Sequence, residues 1–210
     1  IVAAVFCPWL VFSRLPDLKS ENELDSLVSR ESSFLFNNLL LLAACFAVLW
    51  GTMFPVLSEI WGERVTVGPP FFNKVNVPIG LMLLLLTGVG PLLAWRRSSI
   101  EGLKRNFLWP TLLALGVGLA LFAVGVRHYY ALVCFMLSAF VVATIVQEFH
   151  KGARARKVHR GGGYGAALLD LTLTNTGRYG GYIVHFGIVL IFIGVAGSAF
   201  DRDITADFSP

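Results

Sequence analysis

Apolar residues run along this chain in long uncharged blocks, separated by short polar or basic stretches. Blocks free of Asp, Glu, Lys and Arg cover 32–58, 75–95, 106–126, 128–147 and 179–200. A helix needs about 20 apolar residues to cross a hydrocarbon core about 30 Å thick. The pattern therefore predicts membrane-crossing helices at 32–58, 77–95, 107–126, 129–149 and 179–200. The blocks are continuously apolar rather than alternating, which excludes a transmembrane β-barrel. A further block at 1–12 is too short to span and reads as the end of a truncated transmembrane helix. The predicted fold class is all-α, a polytopic transmembrane helical bundle, present as a fragment.

The connections carry the remaining pattern. Residues 13–31 mix acidic and basic side chains around Pro16 and read as a loop. In the connection 59–76, Gly68, Pro69 and Pro70 are expected to break any helix and to set Phe71, Phe72 and Asn73 beside a stiff turn. Only Arg127 and His128 separate the third and fourth spans, which predicts a tight antiparallel hairpin. Residues 150–178 read as a loop, basic at first and then glycine-rich, and 201–210 as the start of a truncated outer region.

Charge adds direction. Only 14% of residues are charged, against about a quarter in soluble domains, so there is no charged skin for a soluble protein of this size. The excess of basic residues gathers at span ends, in Arg96, Arg97, Lys104 and Arg105 of the connection 96–106 and in Lys151, Arg154, Arg156, Lys157 and Arg160. Cationic connections stay on the cytoplasmic side. These two, with 13–31, are therefore expected inside, and 59–76 in the periplasm. Such a distribution points to a lipid bilayer as partner and to no nucleic acid. Cys7, Cys45 and Cys134 are far apart in apolar surroundings and read as packing residues.

Within the spans the expectation is that no Asp, Glu, Lys or Arg is present, which argues against an ion pump. His185 is the one histidine well inside a span. His128 stands at a turn, and His150 and His159 in the basic stretch. At helical spacing Gly181 lies one turn before His185, while Ile188, Val189 and Phe192 follow on the same side. An imidazole with open space before it and an apolar wall after it suits a flat macrocycle held axially through a ring nitrogen. A packed histidine satisfied by a neighbouring hydroxyl or carbonyl is the alternative. Gly180, Gly187 and Gly194 recur on the other side, with Gly197 beyond, and predict close helix packing there. Counted from residue 179, His185 stands about 9 Å into the span, in its cytoplasmic half. Asn37 and Asn38, near the start of the first full span, read as packing amides.

Three segments together resemble the later part of the CcmF/NrfE family of bacterial cytochrome c maturation proteins. They are Ser29-Arg30-Glu31-Ser32-Ser33-Phe34-Leu35-Phe36-Asn37-Asn38, Val67-Gly68-Pro69-Pro70-Phe71-Phe72-Asn73, and Arg178-Tyr179-Gly180-Gly181-Tyr182-Ile183-Val184-His185-Phe186-Gly187. The resemblance implies a multi-pass protein of the bacterial inner membrane acting as a haem lyase subunit. In that role haem is the substrate, joined at the periplasmic face to the CxxCH cysteines of apocytochrome c. It further implies a periplasmic haem chaperone and other maturation membrane subunits as partners. It also implies an intramembrane haem b with His185 as an axial iron ligand, and the helical spacing expects Gly181, Ile188, Val189 and Phe192 around it. The family's other haem-handling residues are expected upstream of residue 1, so the catalytic residues are not identified in this chain. Two other readings stand beside this one: a haem or small-molecule transporter, and a non-catalytic haem b membrane anchor.

Overall fold

The computed structural model describes residues 2–16, 29–63, 65–93, 100–160 and 163–200. Seven α-helices occur among them: α1 (Val2–Ser13), α2 (Arg30–Glu59), α3 (Pro69–Val89), α4 (Ile100–Val124), α5 (Tyr129–Arg160), α6 (Tyr164–Thr174) and α7 (Thr176–Gly197). Short 3-10 turns extend α3 over Gly90–Leu92 and α7 over Ser198–Phe200. No strand occurs among the described residues. Five helices (α2, α3, α4, α5 and α7) are long and apolar enough to cross a membrane, so the protein is a polytopic helical membrane bundle. Residues 17–28, 94–99 and 201–210 lie outside the described residues, so the expected loops at 13–31 and 96–106 are seen only in part and the expected outer region at 201–210 not at all.

The arrangement centres on α5. It packs against α3, α4, α6 and α7, while α2 leans on α3 from outside. Of the most apolar stretch of α5, 44% is buried, against 11–17% in the other four spans, which marks it as the axle of the bundle. Leu84, Phe140, Val141, Ile145, Leu171, Tyr179, Tyr182 and Val189 form the core around it. The predicted hairpin is present: α4 turns into α5 through Gly125, whose φ of +106° is a left-handed conformation that a side chain resists. Arg127 closes the turn by donating to the Phe122 carbonyl at 3.1 Å.

Several local expectations change. Gly68-Pro69-Pro70 does not break a helix but starts one. Gly68 is extended at the N-cap and the prolines fill the first helical positions of α3, where a missing N–H costs nothing. Phe71 and Phe72 therefore project from the first turn of α3, edge to face at 5.4 Å. They press on α2 at Gly51, where an added Cβ would lie 2.6 Å from the Phe72 ring. Gly68, Pro69, Pro70 and Asn73 are exposed beside them.

The stretch 150–178 is largely helical rather than a loop. α5 continues to Arg160, and α6 folds back on it. Gly152 makes this return possible, since a Cβ there would collide with the Tyr179 hydroxyl and with Leu171. The expectation of spans free of charge also fails: Glu148 falls within the predicted span 129–149 itself, and it is 8% exposed in α5.

Candidate functional site

The basic end of the bundle is where two of the three notable segments meet. The residues at the start of α2 and at the start of α7 face each other across the 3-10 turn that ends α3. Between them is a groove of about 290 Å³ lined by Arg30, Ser33, Phe34 and Asn37 of α2, by Leu86, Gly90 and Pro91, and by Gly177, Arg178, Gly181, Tyr182 and His185 of α7. Ser29 fixes the first turn of α2 by accepting the Ser32 N–H at 3.1 Å, which is the N-cap role of a serine. Arg30 then reaches across to donate to the carbonyls of Gly90 (3.4 Å) and Pro91 (3.1 Å), tying α2 to the end of α3.

His185 is half-buried in this groove, and its Nδ1 is buried with no hydrogen-bond partner. A buried ring nitrogen without a partner is costly, and such an atom is uncommon in folded proteins. Gly181, one turn before it, has nothing within 4 Å of a built Cβ, as does Gly177 a turn earlier. The predicted open space beside the imidazole is thus present.

The apolar wall is not where the spacing put it. Val189 is fully buried in the core, and Phe192 packs on it, with its ring 3.3 Å from the Cβ position of Gly80 on α3. Both belong to the side of α7 that docks on α3 and α5, and neither lines the groove with His185. Ile188 is half-buried and does not line it either. Conversely, nothing lies within 4 Å of a Cβ built on Gly180, Gly187, Gly194 or Gly197. Tyr179, Tyr182, Val189 and Phe192 do the packing of α7, and the glycines meet no neighbour among the described residues, the reverse of the expected assignment. Between helices in a bilayer van der Waals contact drives packing, and the larger side chains of Val189 and Phe192 make more of it than a glycine.

Beside the groove is a charged network. Glu148 accepts from Arg178 at 2.7 Å and from Lys151 at 3.1 Å, and Lys151 also donates to Asn106 at 2.9 Å. Arg178 further donates to the Tyr182 hydroxyl at 3.4 Å. A second pair joins α5 to α6, Arg156 with Asp170, where Arg156 also donates to Thr174 at 2.9 Å. The spacing of charges along the sequence hid Glu148 because it falls next to the basic residues that mark a span end.

The other histidines are engaged elsewhere. His150 Nδ1 lies 3.0 Å from the Tyr164 hydroxyl, and His128 stands edge-on to Phe200 at 5.3 Å. The side chain of His159 lies outside the described residues. Asn37 lines the groove, and Asn38 is exposed. No group of three or more His, Cys, Asp or Glu side chains among the described residues forms a metal-ion site. A haem needs less, a single axial donor on a flat wall, and that much is here. His185 would supply the donor and Gly177 and Gly181 the flat surface, in a volume at the lower end of ligand cavities. The described residues thus fit one side of a macrocycle.

Comparison with known proteins agrees with the sequence resemblance. The chain is 33% identical over 189 residues to the cytochrome c-type biogenesis protein CcmF of Pseudomonas fluorescens, covering 88% of this chain and 27% of that protein. It is 30% identical over 186 residues to the cytochrome c-type biogenesis protein CycK of Rhizobium meliloti, covering 87% of this chain and 27% of that protein. To the probable cytochrome c-type biogenesis protein NrfE of Escherichia coli it is 34% identical over 101 residues, 47% of this chain and 16% of that protein. No family model matches, and no solved structure matches. The chain spans about a quarter of the length of the first two of these relatives. It is homologous to the cytochrome c-type biogenesis proteins CcmF and CycK over most of its own length, and to the probable NrfE over about half of it.

Proposed function

We propose that this chain is the haem b-holding part of a haem lyase subunit of cytochrome c maturation in the bacterial inner membrane. His185 is the axial ligand, and the groove between α2 and α7 receives one face of the ring. The observation that carries this reading is the place of His185 on the groove wall beside two open glycines, with Nδ1 buried so that Nε2 is the ring nitrogen left for a ligand. It gains weight because the groove is built from two segments that are far apart in sequence and both family-like. A bound haem supplies an iron that accepts or gives up one electron. The residues of this chain hold the imidazole, bury its back edge and keep bulk away from its front. Among the described residues neither His128 nor His150 lines the groove, so no second imidazole stands beside His185 there.

In the whole protein this site supports the attachment of haem to the CxxCH cysteines of apocytochrome c at the periplasmic face. Haem arrives from a periplasmic chaperone, with other maturation subunits as neighbours. The basic ends of α4 and α5 lie in the cytoplasm on this reading, which puts the His185 groove nearer the cytoplasm and away from the attachment chemistry. A role in supplying electrons or in structure fits that position better than contact with the substrate peptide. The exposed Gly68, Pro69, Pro70 and Asn73 lie at the opposite end, braced by Phe71 and Phe72, and there support the surface to which haem or apocytochrome is brought.

The test is a visible spectrum of the purified full-length protein. We expect a low-spin haem b spectrum in the wild type and its loss in His185→Ala, with the protein still folded by circular dichroism. An unaltered six-coordinate spectrum in His185→Ala would remove the assignment. Labelling of cysteines introduced at Arg154 and Asn73 in spheroplasts checks the orientation, and outside labelling at position 154 would reverse it.

A further inference from the structure

We propose that Arg30 and Arg178 form an anion-binding mouth to the His185 groove, which takes the carboxylates of the ligand held there. Because that ligand is haem, a reading this inference rests on, the carboxylates are its two propionates. The porphyrin would then stand parallel to α7 with its propionate edge toward the basic end of the bundle.

Three observations lead to this. The first is the shape of α7 along the groove. Gly177, Gly181 and His185 recur every four residues, and all three line the cavity. A Cβ built on either glycine meets nothing within 4 Å, so an unobstructed track leads from the imidazole toward the start of the helix. Arg178 stands at the head of that track, seven residues from His185, a rise of about 10 Å. That is the order of distance from the centre of a porphyrin to the end of a propionate.

The second is the state of Arg30 on the facing wall. It is half-buried, and its hydrogen bonds run to the neutral carbonyls of Gly90 and Pro91. No ion pair joins it to a carboxylate among the described residues. Two of its five N–H donors are used in those bonds, which leaves donors free for an incoming carboxylate.

The third is the balance of charge. Arg178 and Lys151 share the single carboxylate of Glu148, and Arg30 adds a third cation across the groove. Among the described residues, three cations thus share one carboxylate at this end of the site. Arg–carboxylate recognition is frequently bidentate and geometrically selective, which would fix the in-plane orientation of a ligand whose centre is already fixed by His185. Ser33 and Asn37 on the Arg30 side and Tyr182 on the Arg178 side are the other polar groups lining the cavity beside His185, and none of them is a carboxylate.

The experiment compares two ligands that differ only in those carboxylates. Full-length protein stripped of haem in detergent is titrated with iron protoporphyrin IX and with its dimethyl ester, and binding is read from the Soret band. The wild type should prefer the free acid by about tenfold or more, the range expected for charge-assisted hydrogen bonds. Arg30→Gln and Arg178→Gln should each shrink the preference several-fold, and Arg30→Lys should keep most of it. Since Arg178 also holds Glu148, the Arg30 pair of variants is the more direct comparison. If Arg30→Gln retains the wild-type preference, Arg30 has no part in binding the carboxylates and the proposal fails. Equal binding of both ligands by the wild type, with a spectrum that still depends on His185, would overturn the anion mouth and leave the haem site standing. Uptake of neither ligand would overturn both.

Discussion

Helix α2 begins and ends against neighbours of opposite kinds. Its first turns present Arg30, Ser33, Phe34 and Asn37 to a groove with room left in it. About 20 Å further along the same helix, Gly51 is closed in by the rings of Phe71 and Phe72 with no room for a methyl group. Both regions carry segments that resemble the same family, so resemblance alone does not separate them. Geometry does: one keeps an imidazole nitrogen buried and unpartnered, and the other fills its space with aromatic carbon. A site for a ligand and a site for a helix differ in what has been left unfilled.

Substitutions can be ranked by how hard they press on this difference. Gly51→Leu should have the largest effect, about 3 kcal/mol or more of lost stability, because the branch must displace Phe72 or push α2 off α3. Thermal unfolding in detergent would show it, and the haem spectrum per folded molecule should stay normal. A spectrum that changes with Gly51→Leu would mean that the two ends are not independent.

Glu148→Ala comes next. It strips Arg178 and Lys151 of their shared carboxylate and should cost about 2 kcal/mol. Here the spectrum should move as well, since Arg178 and Tyr182 border the groove. Glu148→Gln, which keeps an acceptor, should lose less. Equal losses in the two variants would point to packing rather than charge.

The smallest effect belongs to the outward side of α7. Gly194→Ala adds a methyl group that meets nothing among the described residues, and alanine favours a helix by about 1 kcal/mol over glycine. Stability should hold or rise slightly. A clear loss in the full-length protein would show that another part of that protein packs against this side.

How far the sequence could be read depended on what each signal measures. The five spans were legible because unbroken apolar length is a direct requirement of the bilayer. His185 with Gly181 was legible because one helical turn joins them. Which side of α7 would turn inward was not, since periodicity sorts residues into sides without naming what each side meets. Helix α6 was hidden by the glycines before it and the polar residues after it. Its helical state depends on docking against α5, where Ala167 and Leu171 are buried. The Pro69-Pro70 pair was read as a stop when it was a start, because proline forbids the interior of a helix but not its first turn.

The length of α5 has a mechanical meaning. Its 32 residues extend about 48 Å, whereas the hydrocarbon core is about 30 Å thick. Roughly the last three turns therefore stand clear of the oil as a rigid continuation of the central helix, with the cations of Arg154 and Lys157 exposed along them. Arg156 and His150 clasp α6 to this stem, and α6 leads within two residues into the helix that carries His185. A load applied to the protruding stem is thus delivered along an unbroken rod to the axle of the bundle. Through α6 it also reaches the foot of the helix that bears the imidazole, so the polar end is a handle as well as an anchor.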